Sequence, residues 1–372
     1  MKILHIITSL RTGGAERLVT DLLTEFRAAG HEPSLLVLDG TRTPLMEELE
    51  AQDIRIDALS RGVRAMRNPL LLPALLRYLK SHPADIVHTH NSSCQLLGAL
   101  ASLRMPLRLV TTEHNTTNRR RAWAWYRPLD RWMYGRYRRI ACVGEETRTQ
   151  LLEYLGDKRM EGKTEVIPNG IGLSRFRGAV PDPEILSIPG PRITMAAAFR
   201  AQKDHPTLIR AMRHLPASCT LLLAGGAETP QDRKTLQACR QLVRDLDLEA
   251  RVRFLGARKD IPGLYAASDV IVLSSHYEGG TPLAAIEGMA AGKIVIASDG
   301  EGLRRTVGGA GLLFPCGDDG QLARLIRRCL EDPDFSGRVR AACQARAARF
   351  DIRNTAQAYL ALYRNLNFST TT

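Results

Sequence analysis

Short β-rich apolar runs alternate with helix-spaced apolar residues along the chain, and this alternation narrows the choice of fold more than any other feature. Residues 3–7 form the first such run. Ala15, Leu18, Val19, Leu22, Leu23 and Phe26 then recur at helical spacing, and Gly30 stands where a helix would end. Further strand-like runs fall at 35–38, 85–88, 107–111, 140–143 and 166–167, with helices fitting between them. Strands separated by helices pair in parallel across helical crossovers. The expected class is α/β: a parallel sheet covered on both faces and built of βαβ units.

A break follows at 168–191, which holds Pro168, Pro181, Pro183, Pro189 and Pro191 with four glycines. It reads as an interdomain linker. Beyond it the pattern starts again, with runs at 193–197, 220–223, 252–255, 270–273, 294–297 and 312–314. At 372 residues the chain exceeds one typical core. The expected boundaries are 1–172, 173–350, and a tail at 351–372 whose helix returns to the first domain. Two such halves predict a ligand cleft between them, facing the carboxyl ends of both sheets.

Apolar residues make up 44% and charged residues 24%, as in ordinary globular proteins. No run approaches the roughly 18–20 apolar residues that span a bilayer. The N-terminus lacks a long apolar core and reads as a first strand instead of a signal peptide. The seven cysteines are scattered without a CxxC pair, which fits reduced thiols in a cytoplasmic protein and neither a disulfide framework nor a zinc site. The net charge is +13, of which +7 lies in residues 119–139 with eight arginines, one aspartate and all three tryptophans. Charge this localised, with no recognition motif, argues against a nucleic-acid partner. Arginines beside tryptophans fit an anionic membrane surface, with the protein peripheral on the inner face of the plasma membrane. Trp125, Leu129, Trp132 and Met133 recur at helical spacing, so part of the window is expected in the core.

Several loops carry chemistry. Gly13-Gly14 precede a helix N-terminus, where backbone N–H groups favour an anion. The segment Ser274-Ser275-His276-Tyr277-Glu278-Gly279-Gly280-Thr281-Pro282-Leu283 follows an apolar run and feeds another helix. Thr281 suits its N-cap, Pro282 its first position and Gly292 its C-cap. Glu287, about one and a half turns in, can accept two hydroxyls from a ribose. Arg200 and Lys203 lie after the first strand of the second half, where a fork and a point charge can neutralise a diphosphate. Gly225-Gly226 end the next strand.

In their order and spacing these pieces resemble family four of the retaining glycosyltransferases. Those enzymes have the GT-B fold, two Rossmann-like parallel-sheet domains with an interdomain cleft. The resemblance runs from Gly13-Gly14-Ala15-Glu16 through Thr111-Thr112-Glu113-His114-Asn115 and Val166-Ile167-Pro168-Asn169-Gly170 to Lys203-Asp204-His205. It continues through Leu223-Ala224-Gly225-Gly226 and Arg253-Phe254-Leu255-Gly256 to residues 278–287. It implies a metal-independent hexosyltransferase without a cofactor. The donor would be a nucleotide-sugar, with a UDP-sugar favoured and GDP or ADP open. The acceptor would be a glycan or lipid-linked, as in bacterial surface polysaccharide or lipopolysaccharide synthesis.

Carried over by position, the resemblance makes His114, Glu278, Arg200 and Lys203 the catalytic set. Arg200 and Lys203 would hold the diphosphate and Glu287 the ribose. Gly279, Gly280 and Thr281, with Pro282 and Leu283, would line the leaving phosphate and sugar, and Gly225 and Gly226 the same donor. Gly14 would close on the phosphates, and His114 would sit over the donor sugar. Gly13, Glu16, His90 and Asn91 would serve the acceptor side. Two departures stand out. The family's paired glutamates are eight positions apart, whereas Glu278 and Glu287 are nine apart, with Gly279 at the expected place of the first. The family's phosphate-binding Arg often lies five positions before the Lys, where this chain has Ala198, so Arg200 is the substitute. The alternatives are a nucleotide-sugar epimerase of the same fold, or a non-catalytic protein that binds sugars or anionic surfaces.

Overall fold

The computed structural model describes residues 1–11, 13–60, 70–114, 121, 123–278 and 281–366. The chain divides into two compact units: Met1–Gly170 with the segment from Ile352 on, and Ile171–Asp351.

In the first unit the described strands are β1 (Lys2–Ile7), β2 (Glu32–Asp39), β3 (Arg55–Ser60), β4 (Ile86–His90), β5 (Leu109–Glu113), β6 (Arg139–Cys142) and β7 (Thr164–Val166). They pair in parallel in the order β3-β2-β1-β4-β5-β6-β7. Strands β1, β4 and β5 are buried almost throughout because helices cover both faces of the sheet. β3 has no counterpart among the runs read from sequence. It is a half-buried edge strand, Arg55-Ile56-Asp57-Ala58-Leu59-Ser60, in which Arg55 and Asp57 form an exposed ion pair at 2.6 Å. An edge strand pairs on one side only, so it shows no continuous apolar run.

The second unit carries β8 (Arg192–Ala196), β9 (Thr220–Ala224), β10 (Val252–Gly256), β11 (Val270–Leu273), β12 (Ile294–Ser298) and β13 (Leu312–Phe314). Their order is β10-β9-β8-β11-β12-β13, again parallel. The proline-rich stretch is not a free linker. Residues from Ile171 on belong to this unit, with Phe176 and Ile185 buried in its core. The prolines begin elements here: Asp182 caps the short helix Pro183–Leu186 by accepting from Glu184 N at 2.9 Å.

The C-terminal helix Ile352–Arg364 packs into the first unit. Tyr359, Leu360 and Tyr363 are buried in one cluster with Ile3, Leu18, Phe26 and Ile86. Each such side chain contributes about 1.5–3 kcal/mol of burial, so the helix is a structural part of that unit. Strand order reverses between β1 and β4 in one sheet and between β8 and β11 in the other. The loops leaving these strands open at the carboxyl edge, where doubly wound sheets bind ligands.

Candidate functional site

In the second unit the loops after β8 and β11 leave neighbouring strands. The first makes a single 3-10 turn, Ala201–Lys203, closed by Asp204 at φ +48°. Asp204 tolerates the left-handed conformation because its carboxylate caps the helix His205–Ala211. It accepts from Thr207 N at 3.4 Å and from the Thr207 hydroxyl at 2.6 Å. The second loop is tied to the first. The Ser274 hydroxyl lies 2.8 Å from the Asp204 carbonyl and 3.1 Å from that of Lys203, and His276 N donates to the Gln202 carbonyl at 2.8 Å.

These ties bring Lys203 and Glu278 together. Lys203 Nζ donates to both carboxylate oxygens, at 2.6 and 2.8 Å, and the Ser275 hydroxyl donates to Oε1 at 2.6 Å. Both side chains are largely shielded, 20% exposed for Lys203 and 10% for Glu278. With the nine-residue spacing, Glu278 is aimed at the cation and fixes its ammonium. Arg200 is exposed at the start of the same turn.

The helix after β11 spans Leu283–Ala290, one residue later than expected. Pro282 is its N-cap in place of Thr281, and Ala291 its C-cap in place of Gly292, which follows at φ +71°. Pro282 has no side-chain acceptor, so the first helical N–H groups face outward at the positive end of the helix dipole. Glu287 is half-buried near Tyr265, whose hydroxyl is held well above its ordinary range by burial first and by the Glu287 charge second. Gly279 and Gly280 lie outside the described residues. A Cβ on Gly225 would meet the Ala197 carbonyl oxygen at 1.9 Å, and the Gly225 N–H already donates to the Gly256 carbonyl at 2.8 Å. Gly225 therefore has a packing task, whereas a Cβ on Gly226 would meet only Ala257, at 3.7 Å.

In the first unit His90 ends β4, and Asn91 follows at φ +67°, ψ +153°, before the helix Ser92–Ala101. That region is almost restricted to glycine, and a residue held there marks stored strain of the kind found at functional sites. His114 follows β5, its Nε2 3.0 Å from His90 Nδ1. Burial lowers the His114 pKa to about 4 and, with the neighbouring histidines, holds that of His90 well below the ordinary value. Both are therefore neutral at physiological pH, hydrogen-bonding groups and not cations. Gly14, exposed, opens the helix Gly14–Ala28. A Cβ on Gly13 would come 2.2 Å from Glu16 Oε2, so the Glu16 carboxylate folds over that turn.

Sequence reading passed over His5, His88, Ser275 and Tyr363. A signal existed for the first two: His88 and His90 alternate on β4 and so share a face, and His5 pairs with His88 in register. In the window 119–139, Met133 is buried and Trp132 packs against the core, but Trp123, Trp125 and Leu129 are exposed. Among the described residues no helix is long and apolar enough to cross a membrane.

Residues 12–175 match the model of Glycosyltransferase Family 4, and residues 190–332 that of Glycosyl transferases group 1. The chain therefore belongs to glycosyltransferase family 4, and it is a glycosyltransferase. It is 29% identical over 371 residues to the lipopolysaccharide core biosynthesis glycosyltransferase LpsD of Rhizobium meliloti, covering 98% of both chains. It is 28% identical over 260 residues to the UDP-Gal:alpha-D-GlcNAc-diphosphoundecaprenol alpha-1,3-galactosyltransferase of Escherichia coli, covering 66% of this chain and 65% of that enzyme. Among solved structures, Anabaena HepE in complex with UDP superposes with a TM-score of 0.82 at 23% identity, covering 98% of this chain and all of HepE. The fold is thus that of the GT-B glycosyltransferases.

Proposed function

We propose that this glycosyltransferase takes its sugar from a nucleotide-sugar, a UDP-sugar by preference. It passes the sugar to a glycan or lipid-linked acceptor of surface polysaccharide or lipopolysaccharide type, retaining the anomeric configuration. One observation carries the donor reading: Lys203, fixed by Glu278, lies in the loop beside the one that leads to the uncapped N-terminus of Leu283–Ala290. The bond from the anomeric carbon to the diphosphate oxygen breaks, and negative charge builds on that oxygen. Lys203, Arg200 and the helix N–H groups stabilise that charge, typically the largest catalytic contribution. The acceptor hydroxyl attacks the same face, and its proton passes to the departing phosphate. No metal is assigned a part. Glu287 takes the ribose hydroxyls, and His114 and Asn91 serve the sugar and the acceptor, with the buried His90 behind His114.

Calorimetry with UDP, GDP, ADP and their sugars tests the donor; UDP-sugars are expected to bind best, and binding of none of them removes the reading. NMR of the product anomer tests retention.

Two relatives are named for lipid-linked or glycolipid substrates, and basic and aromatic residues of the first unit support contact with an anionic membrane. A cavity of about 580 Å³ there is lined by Arg131, Arg136, Lys158, Arg159 and Lys163, against one carboxylate, Asp157, which pairs with Arg159. Trp123 and Trp125 are 59% and 65% exposed. Co-sedimentation with phosphatidylglycerol vesicles, lost at high salt, is the expected result.

A further inference from the structure

Beneath His114 the first unit buries three more histidines on one sheet face. His90 Nε2 lies 3.0 Å from His5 Nδ1, and His5 Nε2 3.4 Å from the Tyr363 hydroxyl. That hydroxyl lies 2.5 Å from His88 Nδ1, and His88 Nε2 2.8 Å from the Thr112 hydroxyl. Thr112 in turn lies 2.8 Å from the Tyr359 hydroxyl. Every ring nitrogen of His5, His88 and His90 thus has a hydrogen-bond partner.

Neutral imidazole has one donor and one acceptor, and a phenol one proton. The chain from His114 to Thr112 therefore has two self-consistent states. In one, every imidazole carries its proton on Nε2: His114 donates to His90, His90 to His5, His5 to Tyr363, Tyr363 to His88, and His88 to Thr112. In the other, every proton sits on Nδ1 and each bond reverses. The distances at Tyr363 choose between them. Its short contact, to His88 Nδ1, fits an O–H donating to a bare nitrogen, and its long one, to His5 Nε2, fits an N–H donating weakly to the phenol.

We propose that His5, His88, His90 and Tyr363 form a hydrogen-bonded relay that holds His114 in its Nε2-protonated tautomer, leaving Nδ1 as a fixed acceptor for a ligand hydroxyl. The ligand's identity as the donor sugar rests on the function proposed above; the relay does not. These four are positioning residues. Burial keeps all four imidazoles uncharged, which the alternating order requires: His5 is lowered to about 3, His114 to about 4, and His88 and His90 well below the ordinary value. Nitrogens of His5, His88 and His90 also lie within 4.8 Å of one another, a spacing open to a metal ion, but each already serves the chain.

Imidazole ¹⁵N chemical shifts separate protonated from bare nitrogens and test the relay in the unliganded enzyme. All four histidines are expected as Nε2–H in the wild type. Thr112→Val removes the acceptor of His88 Nε2–H. An orphaned buried donor costs more than a reversed chain, so His114 is expected to switch to Nδ1–H without having touched Thr112. Tyr363→Phe, which keeps the ring and removes the hydroxyl, orphans His5 Nε2–H in the same way and is expected to switch His114 to Nδ1–H on its own. Calorimetry then reads the consequence: Thr112→Val weakens UDP-glucose binding about tenfold and leaves UDP unchanged. Nδ1–H or mixed tautomers in the wild type, or a His114 indifferent to Thr112→Val, overturn the relay. So does stoichiometric Zn²⁺ binding that Tyr363→Phe leaves intact. Tautomers that respond as expected, in a protein whose UDP-glucose and UDP affinities are equal, uphold the relay and refute the donor-sugar role of His114.

Discussion

Lys203 gains its orientation from a carboxylate it would not have near it in an extended loop. The pair is largely shielded, so removing one partner leaves a charge uncompensated. Lys203→Ala should lower transfer at least about a hundredfold, the scale of deleting one donor at a developing anion, with folding checked by circular dichroism. Glu278→Gln keeps size and hydrogen bonding but not the charge; its loss of turnover should be smaller, and near-normal turnover in both variants would remove the assignment. The two glycines after β9 separate packing from binding. Gly225→Ala must move a backbone carbonyl, and a loss of more than about 2 kcal/mol is expected in urea unfolding. Gly226→Ala should stay within about 0.5 kcal/mol, so a fall in activity there would report ligand approach. At this scale the sequence carried residue types well: Lys203, Glu278, His90 and His114 stand out as polar groups at strand ends. It did not carry partners. That Lys203 grips Glu278 rests on Ser274 and Asp204 joining two loops about seventy positions apart, which no local pattern reveals.

Elements were legible where their chemistry is continuous and obscure where it is not. Strands such as β11 and β12 are fully buried and open on three successive β-branched residues each, Val270-Ile271-Val272 and Ile294-Val295-Ile296. β3 carries Arg55 and Asp57 at an edge and vanished into its surroundings. The helix Leu283–Ala290 was recognised, but its start slipped by one residue because Thr281 and Pro282 are both good start signals. Gly288 shows what holds that helix on the sheet: a Cβ there would meet Val295 at 3.1 Å and Ile271 at 3.2 Å. Gly288→Val should cost about 2–3 kcal/mol by overpacking, read as a lower urea midpoint with unchanged slope. Because the same helix presents the candidate anion site, UDP binding should weaken in parallel. Weakened binding without destabilisation would mean that the close approach does not set the position of the helix.

For the whole molecule, buried neutral histidines make acid the natural way to unfold both units. His5 and His114 are lowered by burial to about 3 and about 4, and His88 and His90 lie well below their ordinary value, all in the first unit. In the second, burial lowers His205 to about 4 as its ring stacks on Phe199 at 4.3 Å. In the unfolded chain each of these groups takes up a proton near pH 6.5; in the folded protein His5, His114 and His205 do so only near or below pH 4, and His88 and His90 only well below their ordinary value. Between those values the unfolded state binds more protons, so stability rises with pH there and is lost as pH falls through the window. One such proton is worth about 1.4 kcal/mol per pH unit, so the four in the first unit together approach about 5 kcal/mol per unit. A domain holding about 5–15 kcal/mol in all exhausts that within about one to three units, which places the acid midpoint of the first unit between about pH 3.5 and about pH 5.5. The second unit, with His205, should unfold at lower pH. Circular dichroism and tryptophan emission followed from pH 7 to 3 test this, since all three tryptophans lie in the first unit. Emission should change before the full loss of helicity, and coincident transitions near pH 3 would mean that the histidines do not limit stability. His90→Gln, uncharged at every pH, should make the first transition shallower by about one proton, which a merely destabilising substitution would not do.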